Sequence, residues 1–244
     1  MSKNEDISVR KNAAFCLREL VNKNTLIAAL IVDNNGSQNL IDYVSSTVGE
    51  ARLNGILCLG SIASFKDDLA FSIIKHNGIE VLKNALQSEN DQYIKSAVCY
   101  TIGHLGRHSS NHANEVANSN VLPLLMYYHM SKESTDDLKE HSFEALRKII
   151  ESLNKVSTLE PLLQICSERL IKTILNQLVK YLNGNKQQQK EFLKNGGLAK
   201  LQEMKKKVNV NLVQQIDEIN TFFPESCVKY SSPDYVVSLL DKIT

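Results

Sequence analysis

No apolar run in this sequence is long enough to cross a bilayer. The cleanest, Leu26 to Val32, falls far short of the roughly 20 residues a spanning helix needs. Met1 to Arg10 carries no hydrophobic segment of signal-peptide type. Net charge is equally scarce, at +1 over 244 residues, so the chain lacks the basic excess that draws proteins to nucleic acid or anionic membranes. Tryptophan is absent. The five cysteines (Cys16, Cys58, Cys99, Cys166, Cys227) are odd in number and widely spaced. The first three lie inside helical apolar patterns, where a thiol serves as a small hydrophobe. No stretch alternates apolar and polar residues, so no sheet is expected. These absences leave a soluble cytosolic protein with reduced thiols and, at 43% hydrophobic residues, enough apolar surface for a substantial core.

What is there is a repeat. Arg10-Lys11-Asn12-Ala13-Ala14-Phe15-Cys16-Leu17 lines up with Arg52-Leu53-Asn54-Gly55-Ile56-Leu57-Cys58-Leu59 at an offset of 42, and Asn34-Asn35-Gly36 recurs as His76-Asn77-Gly78 at the same offset. A third copy runs from Ile94 to Leu105, and a fourth from Leu138 to Ile150. Each unit has a short apolar segment ending near Asn-Gly, a middle helix, and a longer amphipathic helix. The middle helices are expected at Gln38–Val44, Ile79–Leu86, Val121–Met130 and Leu198–Lys205, with Pro123 tolerable in a first turn. Glycine after the first segment suits a left-handed helix end.

Three helices in about 42 residues are the armadillo signature. The expected fold is all-α, a right-handed superhelical armadillo solenoid over residues 1–216. One such unit cannot bury its own apolar face, so neighbours must stack to make a continuous core. The chain opens in a long third helix, so the first repeat is incomplete, and Ala13, Ala14, Leu17 and Leu20 are expected to lose their cover. An irregular link falls near 153–166, where Leu138 to Leu170 is too short for a full repeat. Residues 217–244 form a tail, with a short helix expected at Tyr235–Ile243, whose Phe222, Phe223, Val228, Tyr235 and Leu239 are apolar enough to fold back as a cap.

Several strings go beyond a generic repeat: Gly106-Arg107-His108 with His112-Ala113, Asn120-Val121-Leu122-Pro123-Leu124-Leu125, Met130-Ser131-Lys132-Glu133-Ser134, Leu159-Glu160-Pro161-Leu162, and Gly196-Gly197-Leu198 leading to Gln202-Glu203. The tail adds Phe223-Pro224-Glu225, Val228-Lys229-Tyr230, Ser232-Pro233, Tyr235 and Leu239-Leu240. Together they resemble the C-terminal half of the armadillo family of the ciliary and flagellar central apparatus, the sperm-associated antigen type. The resemblance implies a non-catalytic scaffold in the cytoplasm, cytoskeleton and flagellar axoneme, supporting central-pair microtubule stability and motility. The implied partners are proteins, central-pair components or tubulin, with no nucleic acid, membrane or cofactor. An importin-like adaptor is disfavoured because its groove needs tryptophan, and a catenin-like adaptor because it lacks the tail motif.

Catalytic spacing is missing: there is no Gly-x-Ser-x-Gly elbow and no His-Glu-x-x-His pair. His104, His108 and His112 are four apart, but a helix should end near Gly106 to Ser110, and no cysteine or carboxylate completes a zinc site. Gly103 and Gly106 fit close helix packing. The more informative constellation is Arg10, Arg52, Lys95 and Lys139, one at the start of each third helix, with Asn12 and Asn54 two residues on. Third helices of armadillo arrays line the concave groove, so these six residues are the candidate partner-binding positions. As solvated cations they would suit an acidic extended peptide, each contributing about 0.2–1 kcal/mol.

Overall fold

The computed structural model describes residues 6–22, 24–233 and 235, and it is helical throughout, with no strand among the described residues. It divides into two compact units, Met1–Ser152 and Leu153–Thr244.

The first unit opens with α1 (Ile7–Val21), a lone third helix started by the Asp6 carboxylate, which accepts from the Ser8 amide at 2.9 Å. Three full repeats follow. They are α2 (Thr25–Asp33), α3 (Gly36–Ser46) and α4 (Glu50–Phe65); α5 (Asp67–Lys75), α6 (Gly78–Ser88) and α7 (Gln92–Gly106); and α8 (Ser110–Asn118), α9 (Leu122–Met130) and α10 (Asp136–Ser152). Each third helix packs on the next, α1 on α4, α4 on α7, α7 on α10. The core is the row of residues this stacking covers: Ile56, Leu59, Ile62, Ile102, Leu105, Leu146 and Ile149 are all fully buried. At about 1.5–3 kcal/mol for each large aliphatic side chain taken from water, inter-repeat burial dominates the energetics.

The turn between the first two helices of a repeat differs from the expectation in one respect. In the first unit asparagine, not glycine, takes the left-handed backbone, with φ of 59° at Asn35, 64° at Asn77 and 58° at Asn120, whereas in the last repeat Gly196 takes it as expected, with φ of 77°. Asparagine tolerates that region because its short amide can bond locally. Gly36 and Gly78 follow for a steric reason: a Cβ there would lie 2.4 Å from the Ile31 carbonyl oxygen or 2.7 Å from that of Ile73. Pro123 falls in the first turn of α9.

At the exposed end, Ala14 is fully buried, contrary to the expectation that it loses its cover, because it faces α4. Leu20, Leu26 and Leu30 are among the apolar residues left open, 48%, 69% and 61% exposed. Ile62, the counterpart of Leu20 one repeat on, is fully buried, whereas Leu26 and Leu30 align with exposed Asp68 and half-buried Ser72.

In the second unit the first two helices of a repeat shrink to α11 (Val156–Leu159) and α12 (Leu162–Ile165), before the full-length α13 (Glu168–Leu182). The last repeat is α14 (Lys186–Lys194), α15 (Gly197–Lys205) and α16 (Val210–Asn220), with α16 running past Asp217; the short α17 (Glu225–Tyr230) follows. Lys200 on α15 pairs with the buried Glu160 between α11 and α12, tying the shrunken repeat to its successor. Phe223 is 7% exposed and its ring lies 6.0 Å from that of the fully buried Phe192 on α14. The helix expected at Tyr235–Ile243, with Leu239, lies outside the described residues apart from Tyr235.

Candidate functional site

The structure engages three of the four repeated cations between neighbouring repeats. Arg10 donates through Nη2 to Ser46 Oγ at 2.8 Å and its guanidinium lies 5.2 Å from the Tyr43 ring centroid. Arg52 donates through Nη1 to Glu89 Oε1 at 2.8 Å and to Ser88 Oγ at 3.3 Å. Lys95 Nζ sits 4.7 Å from the Tyr128 ring centroid. In each case a cation at the start of one third helix reaches the last turn of the second helix in the following repeat, the negative end of that helix dipole. Arg10 and Arg52, expected at the solvent surface, are instead only 8% and 7% exposed. They are inter-repeat braces. Lys139 stays half-buried beside Asp136 of its own first turn, at 3.8 Å. Asn12 is exposed, and half-buried Asn54 accepts from Arg18 Nη1 at 3.2 Å. Arg10 and Arg52 are therefore withdrawn from solvent, while Asn12 is exposed and Asn54 and Lys139 are half-buried.

A different set does converge. On α7, Tyr93, Ser96, Ala97 and Tyr100 follow the i, i+3, i+4, i+7 spacing of one helix face. With Leu57 of α4 and Asp137 and His141 of α10, they line a cleft of about 240 Å³ spanning three successive third helices. Tyr93 is 62% exposed. His141 Nδ1 lies 3.3 Å from an Asp137 carboxylate oxygen. The sequence carries this signal only as two tyrosines seven apart on the same helix.

Deeper along α7, the Tyr100 ring stacks on His104 at 4.4 Å, and Lys148 Nζ approaches that ring to 5.9 Å and His104 Nε2 to 3.3 Å. Burial, reinforced by the Lys148 and Arg107 charges, holds the His104 pKa down to about 3. Burial likewise lowers Lys148 below the usual lysine range.

The three histidines at spacing four do not converge. His108 Nε2 bonds the Ala63 carbonyl at 2.6 Å, and His112 Nε2 bonds the Asp67 carbonyl at 2.9 Å, each tying one repeat to the previous one. Among the described residues, no three His, Cys, Asp or Glu side chains are placed to hold a metal ion. Burial pushes the Cys58 and Cys99 thiols up to about 12, so neither is a thiolate nucleophile at neutral pH. No described helix is long and apolar enough to cross a membrane. In the second unit the short α12 leaves a larger hollow of about 440 Å³ beside Leu163, Cys166 and Met204, rimmed by both signs of charge through Lys200, Glu203 and Lys207.

Comparison with known proteins fits this architecture. No protein-family model matches the chain. Sperm-associated antigen 6 of Mus musculus and that of Homo sapiens are each 35% identical over 162 residues, which is 66% of this chain and 32% of theirs. The chain thus matches about a third of the length of these curated relatives. Among solved structures, the designed armadillo repeat protein YIII(Dq)4CqI superposes with a TM-score of 0.62 at 13% identity, covering 91% of this chain and 96% of that one. The designed armadillo repeat protein YIII(Dq.V1)4CPAF in complex with peptide (KR)4 gives 0.60 at 14% identity, covering 91% and 96%. At such identities only the fold is shared. By fold this is an armadillo-repeat protein, and by sequence it is a homologue of the sperm-associated antigen 6 proteins.

Proposed function

We propose that this chain is a non-catalytic armadillo scaffold of the ciliary or flagellar axoneme, supporting the central-pair microtubules and flagellar motility by holding protein partners along its third-helix face. The observation that carries the reading is 35% identity over two thirds of the chain to proteins named for their association with sperm, a flagellated cell. The tail strings that set the central-apparatus family apart from other armadillo proteins support it further. A stack of third helices bearing an accessible cleft supports protein binding as the activity. Central-pair components or tubulin are the proposed partners. Asn12, Asn54 and Lys139 are proposed to border the bound segment, while Arg10, Arg52 and Lys95 hold the repeats that present it.

The test is localisation and loss of function in a flagellated cell stage. A tagged full-length protein should co-sediment with detergent-extracted axonemes, and its depletion should disturb the central pair. A protein that stays wholly in the soluble cytoplasm, with normal axonemes on depletion, would replace this reading with a soluble peptide-binding adaptor of the catenin or importin kind.

A further inference from the structure

We infer that the cleft between Tyr93, Tyr100 and Asp137 receives a lysine or arginine side chain from an extended, basic segment of a protein partner. The inference rests on the third-helix face being the partner-binding face.

Three observations point the same way. The first is charge: Asp137 is the single Asp, Glu, Lys or Arg among the cleft-lining residues. The nearby cations are engaged elsewhere, Arg52 with Glu89, Lys95 over Tyr128, Lys139 beside Asp136, and Lys148 against His104. Glu50, Asp91 and Asp136 at the starts of the three third helices are also exposed, Glu50 beside Lys11 and Asp136 beside Lys139. An acidic peptide would bring its carboxylates toward these, whereas a basic one meets complementary charge.

The second observation is the walls. Tyrosine faces attract ammonium and guanidinium groups through the ring quadrupole. Lys148 Nζ lies 5.9 Å from the Tyr100 centroid, within cation–π range. Tyr93, at 62% exposed, presents the same chemistry to solvent within reach of Asp137. Leu57 supplies the apolar contact that the methylene stem of a long basic side chain covers.

The third is size. About 240 Å³ is below the roughly 300–1,000 Å³ of small-molecule sites, but it accommodates one long side chain. The cleft is also open along the helices rather than closed over. An extended chain can therefore lie across successive third helices and insert one residue here.

The test is fluorescence anisotropy with the full-length chain and three labelled peptides of equal length, alternating Lys-Arg, alternating Glu-Ser and neutral Gly-Ser. The Lys-Arg peptide should bind most tightly and weaken as salt rises. Tyr93→Ala and Asp137→Asn should each weaken it roughly two- to fivefold, while Tyr93→Phe, which keeps the ring, should bind like wild type. Both positions are exposed enough for melting to stay unchanged, and that control separates lost contact from lost fold. Preference for the Glu-Ser peptide, equal binding of all three, or Tyr93→Ala and Asp137→Asn binding the Lys-Arg peptide like wild type would each overturn the inference. The axoneme co-sedimentation result stands independently. A protein on axonemes that ignores basic peptides retires the cleft alone, and one that binds them but never reaches an axoneme retires the axonemal reading.

Discussion

Arg52 and Glu89 meet at 2.8 Å between α4 and the end of α6, each with a side chain under a tenth exposed. Glu89 also accepts the Gly49 amide at 3.1 Å, so one carboxylate secures both the brace and the turn that starts α4. Removing one partner strands the other as an uncompensated buried charge, which costs about 3–5 kcal/mol. Arg52→Ala and Glu89→Ala should each lower stability by about that amount in chemical denaturation, while the double replacement Arg52→Met with Glu89→Leu should recover most of it. A loss below about 1 kcal/mol for Arg52→Ala would mean the pair behaves as a solvated surface bridge.

Gly103 offers a test in which two effects oppose. Glycine to alanine inside a helix normally gains up to about 1 kcal/mol in propensity. Here the new Cβ would lie 2.8 Å from the Ala145 Cα, a backbone atom of α10 that cannot rotate away. Overpacking of that kind costs about 1–3 kcal/mol, so Gly103→Ala should destabilise overall and lower the melting temperature. A rise in melting temperature would show that α7 and α10 are less closely apposed.

His104 makes stability depend on pH in a stated direction. Its folded pKa is about 3, below the unfolded value near 6.5. Above pH 6.5 the ring is neutral in both states and contributes nothing to the pH slope. Between 6.5 and 3 the unfolded chain binds a proton that the folded chain refuses, so stability falls as pH falls, and the effect levels off below 3. His108, lowered in the same direction chiefly by burial, adds to this trend. Thermal melts from pH 7.5 to 4.5 should show the decline, and His104→Asn should flatten it. An unchanged slope in that variant would assign the acid sensitivity to other groups.

Leu20 holds the repeat position that Ile62 occupies fully buried one repeat later, and Leu26 and Leu30 of α2 leave further apolar surface exposed. Such a face is complementary to another armadillo repeat. The isolated chain should therefore associate as concentration rises, measured by sedimentation. Leu26→Lys with Leu30→Lys should disperse it without lowering the melting temperature. A monomer at all concentrations would show the face to be stable in water.

The sequence by itself determined the architecture. Period and helix pattern name the armadillo fold, because only a residue set with a 3.6-residue rhythm, renewed every 42 or so positions, can bury its apolar faces solely by stacking. Turn chemistry was nearly as legible: Asn35, Asn77 and Asn120 lie where an Asn-Gly signal or its remnant appears, although which residue takes the left-handed backbone is a matter of local sterics at Ile31 and Ile73. The site was decided elsewhere. Arg10, Arg52 and Lys95 recur faithfully in the sequence, yet a linear register cannot reveal that a third-helix start faces the second-helix end of the following repeat, where burial and the helix dipole hold the cation. Tyr93 and Tyr100 share a helix face by spacing alone, but the cleft exists only because Leu57 comes from 43 residues before Tyr100 and Asp137 from 37 after it. Local sequence fixes helices through short-range hydrogen bonds and side-chain periodicity; a site assembled from three repeats is fixed by packing, which acts between residues far apart in the chain.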